Sequence, residues 1–331
     1  MNKYTKAGLT ALAGSLVAVS AAQADWAVSG SGKFSYTQKS GKSDSKQTGG
    51  RFGMDRDIAV TGTMEMDNGW TVSTLAYVAA GAESQSNLKV DMGAMGAIEY
   101  NMYDGALGIS KIDDTLPTAD EEVWNGNTNT GRATHSSATG FNYSNTVSDM
   151  LTVNIGIVPQ GTGLRATGTS GQVTPTAGTA ATTKSEASIA LTITPMDGLT
   201  VYAGTGTGGE AVATSGKGDN DDLQVLAANY AYGPVTVGYS MTERDGTATS
   251  RDFDTTGYAV AYAINENLSI SYGERTIDPG NVAVDEEQSG FSIGYSMGGM
   301  TIKAHNNKLD SAGGVAGTDY EHTEIAVSFA F

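Results

Sequence analysis

Apolar and polar side chains alternate with a period of two along much of the chain. At the C-terminus Ile325, Val327, Phe329 and Phe331 occupy one face of an extended ribbon, with Glu324, Ala326, Ser328 and Ala330 on the other. The pattern returns in Val235, Val237, Tyr239 and Met241, in Leu268, Ile270 and Tyr272, and in Phe291, Ile293, Tyr295 and Met297. Ile189, Leu191 and Ile193 follow it, as do Leu151, Val153, Ile155 and Ile157. Near the start, Val28, Phe34 and Tyr36 alternate with Ser29, Lys33, Ser35 and Thr37. Such alternation predicts β-strands with one face against something apolar and the other against something polar.

Two kinds of connection separate these strands. Short, turn-like ones fall at Asp67-Asn68-Gly69, Ala94-Met95-Gly96, Val147-Ser148-Asp149, Met196-Asp197-Gly198, Gly233-Pro234, Asn265-Glu266-Asn267 and Gly298-Gly299. This is hairpin chemistry. Longer, polar and often acidic ones are expected near 38–50, 81–87, 104–137, 159–184, 205–221, 243–252, 276–287 and 308–319. The two kinds alternate strictly, so seven turns and eight loops predict sixteen antiparallel strands in one domain, 25–331. An open sheet of that size would leave long exposed edges, so it is expected to close into a barrel.

Period alone does not decide which face of the barrel is apolar. Three features favour the outer one. Residues 1–24 read as a cleaved secretory signal: Lys3 and Lys6, an apolar run, then Ala22-Gln23-Ala24. A membrane anchor is the other reading, but the run is short and rich in Ala, Gly and Ser. Short turns and long loops segregate to opposite ends, as in membrane barrels. Tyr230, Tyr232, Tyr258, Tyr262 and Tyr295 cluster at strand ends, where an interfacial girdle needs them. The polar-facing side chains are mostly small and could not fill so wide a cylinder, which predicts a water channel. The fold class is therefore all-β, a sixteen-stranded antiparallel transmembrane barrel.

Composition narrows the partners. The net charge is −17, or −19 once Lys3 and Lys6 are removed, which argues against nucleic acid. There are no cysteines, so neither disulfides nor thiolate metal sites are available.

The chain resembles the general porins of Gram-negative outer membranes, closest to their alphaproteobacterial branch. Phe331, with Ile325, Val327 and Phe329 behind it, matches the family's C-terminal strand, which serves there as a signal to the barrel-assembly machinery. Met95–Ala106, "MGAIEYNMYDGA", looks like the turn and fifth strand before the family's inward-folded third loop. The family often has Gly and a basic residue where this chain has Asn101-Met102, which puts a constriction arginine there in doubt. The resemblance implies homotrimers in outer-membrane lipid and lipopolysaccharide, passing small hydrophilic solutes and ions. It also implies that 104–137 narrows the pore, presenting Asp113, Asp114, Asp120, Glu121 and Glu122 to a wall. Inward parity gives that wall Lys33, Arg51, Asp55, Asp57, Lys89 and Asp91. Acids outnumber bases in this set, so cation preference is expected. On the sequence alone, a solvated surface loop at 104–137 reads almost equally well.

Other signals carry less. Gly30–Ser35, "GSGKFS", lacks the first Gly of a P-loop and has Phe34 after Lys33. Gly204–Gly209 has no helix after it. Asp219–Asp222 lacks the Gly of an EF-hand, so exposed loop acid is the preferred account. No cofactor is expected beyond loosely bound Ca2+ bridging such acids to lipid phosphates. His135, His305 and His322 share no metal-like spacing, although His305 and His322 can approach each other on neighbouring strands facing the lumen. No nucleophile and base stand together, so an enzyme is not expected. An outer-membrane or secreted adhesin or surface-coat protein is the alternative function, disfavoured because the loop lengths vary too much for a solenoid repeat.

Overall fold

The computed structural model describes residues 25–41, 49–79, 82–102, 105–127, 131–135, 138–159, 185–208, 221–246, 252–280 and 282–331. The expected signal segment, including Ala22 and Ala24, lies outside them, as do Asp219 and Asn220.

The first five strands are β1 (Asp25–Gly41), β2 (Gly49–Glu65), β3 (Thr71–Ala79), β4 (Ala82–Asp91) and β5 (Ala97–Met102). Next come β6 (Gly140–Ser148), β7 (Leu151–Val158), β8 (Glu186–Met196), β9 (Leu199–Gly208), β10 (Asp221–Tyr232) and β11 (Val235–Asp245). The last are β12 (Phe253–Asn265), β13 (Leu268–Pro279), β14 (Glu286–Met297), β15 (Met300–Asp310) and β16 (Tyr320–Ala330). Each pairs antiparallel with its sequence neighbours, and β16 pairs with β1 to close a sixteen-stranded barrel.

Closure uses the last residue of the chain. In the β1–β16 register Lys33 faces Ser328 and Ser31 faces Ala330. One step further, Phe331 donates its backbone N–H to the Gly30 carbonyl at 2.8 Å, and Gly30 donates back to Phe331 at 3.2 Å. Every strand thus has a partner on both sides over part of its length, which is what hydrocarbon demands of a spanning sheet.

Most large apolar side chains of the strands point outward and are uncovered. Phe329 is 45% exposed and Phe331 85% exposed, which excludes a dry aromatic centre. Phe34, Phe52, Met54, Leu226, Met241, Phe291 and Ile325 share this outer surface. Phe34 and Phe52 stack across β1 and β2 with ring centres 5.6 Å apart, the sheet's usual cross-strand pairing. Tyr230, Tyr232, Tyr258 and Tyr262 are also exposed on this outer surface.

The register breaks at four bulges. Three of them, at Thr146/Ser148, Ile193/Met196 and Ala263/Asn265, adjoin short turns. A bulge there alters parity only beyond the strand body, so the inside–outside alternation survives along the barrel wall.

Two connections differ from expectation. The stretch 81–87 reads as a long loop, yet β4 begins at Ala82, and β3 and β4 form a close hairpin. Ser84 and Ser86 sit where an apolar outward residue would mark a strand, and the bulge at Tyr77/Val78 shifts the register beside them. Pairing therefore overrides a locally polar pattern. Likewise 276–287 shrinks, because β13 extends to Pro279 and β14 starts at Glu286.

Candidate functional site

Among the described residues, the barrel shows no packed centre apart from the loop. Its dry contacts lie between the inner wall and the long connection from β5 to β6. Leu107, Ile109 and Ile112 of this connection are fully or almost fully buried, and the two isoleucines pack with Ala133, Ala190, Leu223, Val225 and Tyr202. Burying three such side chains contributes about 1.5–3 kcal/mol each. The connection is thus folded into the lumen and stuck to β8–β10.

The wall is shaped to receive it. Gly156, Gly204, Gly238, Gly257, Gly273 and Gly294 lie on inward positions, and each abuts the loop: a Cβ there would meet Gly108, Ile112, Pro117, Leu116, Val123 or Ala119, respectively. Gly108 adds a left-handed backbone at φ +50°, pressed against Ser188 and Gly156. A side chain at Gly108 would meet both strain and collision.

Polar side chains of the wall satisfy the loop backbone, as a buried loop requires. Asn142 accepts from the Gly108 N–H at 2.9 Å and Ser188 from the Ile109 N–H at 2.9 Å. Asn229 donates to the Thr115 carbonyl at 2.5 Å. Ser271 accepts from the Ala119 N–H at 2.9 Å, and Asn307 donates to the Glu122 and Asn125 carbonyls at 3.0 and 3.1 Å. Lys39 of β1 reaches the Gly126 carbonyl at 3.0 Å. His135, near the loop's end, is buried between Glu186 at 3.1 Å and Ser188 at 2.7 Å. The described contacts fall on β5–β16 and on Lys39, which leaves β2–β4 as the facing wall.

The five loop acids do not project as a uniform row. Asp113 is buried and paired with Arg132 at 2.7 Å, although burial still holds its carboxyl above the ordinary range. Arg132 and Arg275 lie over the Trp124 ring at 5.7 and 4.5 Å, and Arg275 also bonds the Gly131 carbonyl. Asp114 is buried beside Glu122, and one of its carboxylate oxygens has no partner. Burial first, and the Glu122 charge second, push the Asp114 carboxyl up to about 8. Asp120 meets Lys303 at 3.2 Å and His305 at 2.8 Å. Burial opposes its charge, but the His305 hydrogen bond and Lys303 outweigh that and hold it below the usual range. Glu121 is the most exposed of the five, with its carboxyl raised by partial burial and then by Glu122 and Asp120.

The wall residues share the lumenal face at different heights. Lys33 pairs with Glu324 at 3.2 Å and sits in register with Asp55. Ser31 donates to Asp57 at 3.2 Å, and Arg51 is in register with Thr37. Lys89 pairs with Asp91 at 3.4 Å. Asp91 ends β4 and accepts from the Gly93 N–H at 3.0 Å, so it belongs to the rim at a short turn.

Sequence reasoning missed the cations that answer the loop acids: Arg132, Arg275 and Lys303. For Arg275 and Lys303 the available signal was inward parity on β13 and β15, while Arg132 lies in the loop itself. The inward glycines of successive strands were a second signal, since a wet wall has no need of them.

A family model described as Gram-negative porin matches residues 8–305. Solved structures show the same architecture. A double mutant of Rhodopseudomonas blastica porin superposes with a TM-score of 0.65 at 13% identity, covering 93% of this chain and 100% of that one. A triple mutant of the same porin gives 0.65 at 13%, with the same coverage of 93% and 100%. A porin refined at 1.8 Å gives 0.67 at 15%, again covering 93% and 100%. No curated relative matches significantly. With a closed sixteen-stranded barrel, an apolar exterior and a family match over most of its length, the chain belongs to the Gram-negative porins, multi-pass β-barrel channels of the outer membrane.

Proposed function

We propose that this porin passes small hydrophilic solutes and ions by passive diffusion through an eyelet between the β5–β6 loop and the β1–β4 wall. The observation that carries this reading is the loop itself. It is held inside the barrel by buried Leu107, Ile109 and Ile112 and by wall-to-backbone hydrogen bonds, and its described contacts fall on β5–β16 and on Lys39 rather than on β2–β4.

In this reading Glu121 and Glu122 supply the negative side of the eyelet at neutral pH, and Asp114 joins them as the pH rises through about 8. Asp113 and Asp120 act mainly through their partners Arg132 and Lys303, so they tie the loop down. Lys33, Arg51, Asp55, Asp57 and Lys89 form the opposite side, and Asp91 the rim. Mixed charge on the wall and net acid on the loop give a modest cation preference, because low-dielectric walls focus the field of fixed charges. Diffusion of this kind needs no cofactor and no chemical step. The outward row Ile325, Val327, Phe329 and Phe331 serves assembly, and the barrel works as a homotrimer in outer-membrane lipid. Loosely held Ca2+ at acidic loops is compatible with the same reading.

The test is the reversal potential across a planar bilayer with a salt gradient. A cation-selective sign that weakens when Glu121 and Glu122 are changed to Gln supports the eyelet. An anion-selective sign, or selectivity indifferent to both changes, overturns it.

A further inference from the structure

We propose that His305 and His322 form a binding site for a divalent, nitrogen-preferring transition metal, Zn2+ or Cu2+, at the seam between the loop and the β15–β16 wall. Nε2 of His305 and Nδ1 of His322 face each other at 3.1 Å, with ring centres 5.2 Å apart. Imidazole nitrogens bind these metals at about 2.0–2.1 Å, so a shared ion would subtend an angle of about 95–102° at this separation. That lies between the square-planar geometry Cu2+ prefers and the tetrahedral one of Zn2+.

The tautomer of His305 is set for it. Asp120 lies 2.8 Å from Nδ1 of His305, and its carboxylate can only accept, so Nδ1 carries the proton. Nε2 of His305 is left with its lone pair pointed at His322. A carboxylate behind a histidine in this way is the usual outer partner of a metal-bound imidazole, fixing ring orientation and raising its basicity. Lys303 holds the other oxygen of Asp120 at 3.2 Å, so the carboxylate cannot turn away.

Without metal, His322 donates its Nδ1 proton to His305. On binding, that proton moves to Nε2 of His322, and two nitrogen–metal bonds replace two water ligands of the ion. No net proton is released when both rings start neutral. Among the described residues, no cluster of three or more His, Cys, Asp or Glu side chains is placed to hold a metal. The site is therefore a two-imidazole one, completed by water. His322 also abuts the loop at Gly126, where a Cβ would collide with its ring, so the ion would sit where the loop returns to the wall. His135 offers an internal control, since both its nitrogens already face Glu186 and Ser188.

The experiment uses the folded, full-length barrel in detergent. One equivalent of Cu2+ is followed by electron paramagnetic resonance, and Zn2+ affinity is read by titration calorimetry. The wild-type spectrum is expected to show two coupled imidazole nitrogens. His305→Gln and His322→Gln are each expected to weaken Zn2+ binding by tenfold or more and to leave one nitrogen, Asp120→Asn by about tenfold, and His135→Gln not at all. A wild-type spectrum of oxygen ligands only, or Zn2+ affinity unchanged in both His305→Gln and His322→Gln, would overturn the site. The wild-type spectrum stands even if a variant misfolds, and neither readout depends on conductance.

Discussion

Asp114→Asn should remove a pH-dependent part of the channel's ion selectivity. The buried Asp114 carboxyl, pushed up to about 8 by burial and by Glu122, is largely protonated at neutral pH. Raising the pH from about 6 to about 9 therefore adds one negative charge to the loop. A unit charge about 6 Å from a passing ion shifts that ion's energy by about 0.7 kcal/mol in water. At about 0.1 M salt, with a Debye length near 10 Å, about 0.4 kcal/mol survives. That is about twofold for cation entry and about twofold, in the opposite sense, for anions. The cation-to-anion permeability ratio should thus rise about fourfold in the wild type. The assay is reversal potential against pH in a fixed salt gradient, with Asp114→Asn beside the wild type. The same titration fixes the sign of the stability effect. The folded chain keeps a proton that the unfolded chain releases near 3.8, so this group's contribution falls as pH rises from there through about 8. Asp114→Asn should flatten that fall. A wild-type ratio that stays constant over the range, or a variant that follows the wild type, would refute the reasoning.

Further outcomes follow from the way the loop is seated. Ile109→Ser places a hydroxyl in a fully buried apolar cluster and should cost about 2–5 kcal/mol of loop anchoring, giving larger and noisier single-channel steps with the barrel intact; unchanged steps would mean the cluster does not hold the loop. Because the chain has no cysteine, Thr118→Cys combined with Ser271→Cys should form a disulfide on mild oxidation, since the two hydroxyls lie 3.4 Å apart; free thiols in the oxidised, folded protein would place the loop elsewhere. Phe331→Ser should lower the yield of folded, heat-modifiable barrel on gels, and a normal yield would separate this residue from assembly.

The strand wall was legible in the sequence because one physical rule governs it. Each outward position must tolerate hydrocarbon and each inward one water, so Val235 to Met241 or Phe291 to Met297 declare their faces unaided. The β3–β4 hairpin escaped this rule because Ser84 and Ser86 carry no apolar mark, and only pairing with β3 defines them as strand. The seat of the loop was less visible for another reason. Many of its contacts join residues more than a hundred positions apart, as in Asn229 to Thr115 or Asn307 to Glu122. The acids of the loop could be counted from sequence, but which cation answers which acid could not. Arg132 lies nineteen residues from Asp113, and Lys303 reaches Asp120 from a strand near the other end of the chain.

The central claim is that apolar side chains turn outward to lipid while a lumen, narrowed by the loop, carries water. Planar-bilayer recording of the purified protein tests it most directly. The account predicts discrete, ohmic steps in salt solution and larger steps when the loop residues Leu107–Ala133 are replaced by a short Gly-Ser linker. A bilayer that stays silent, or steps of the same size with and without the loop, would contradict it.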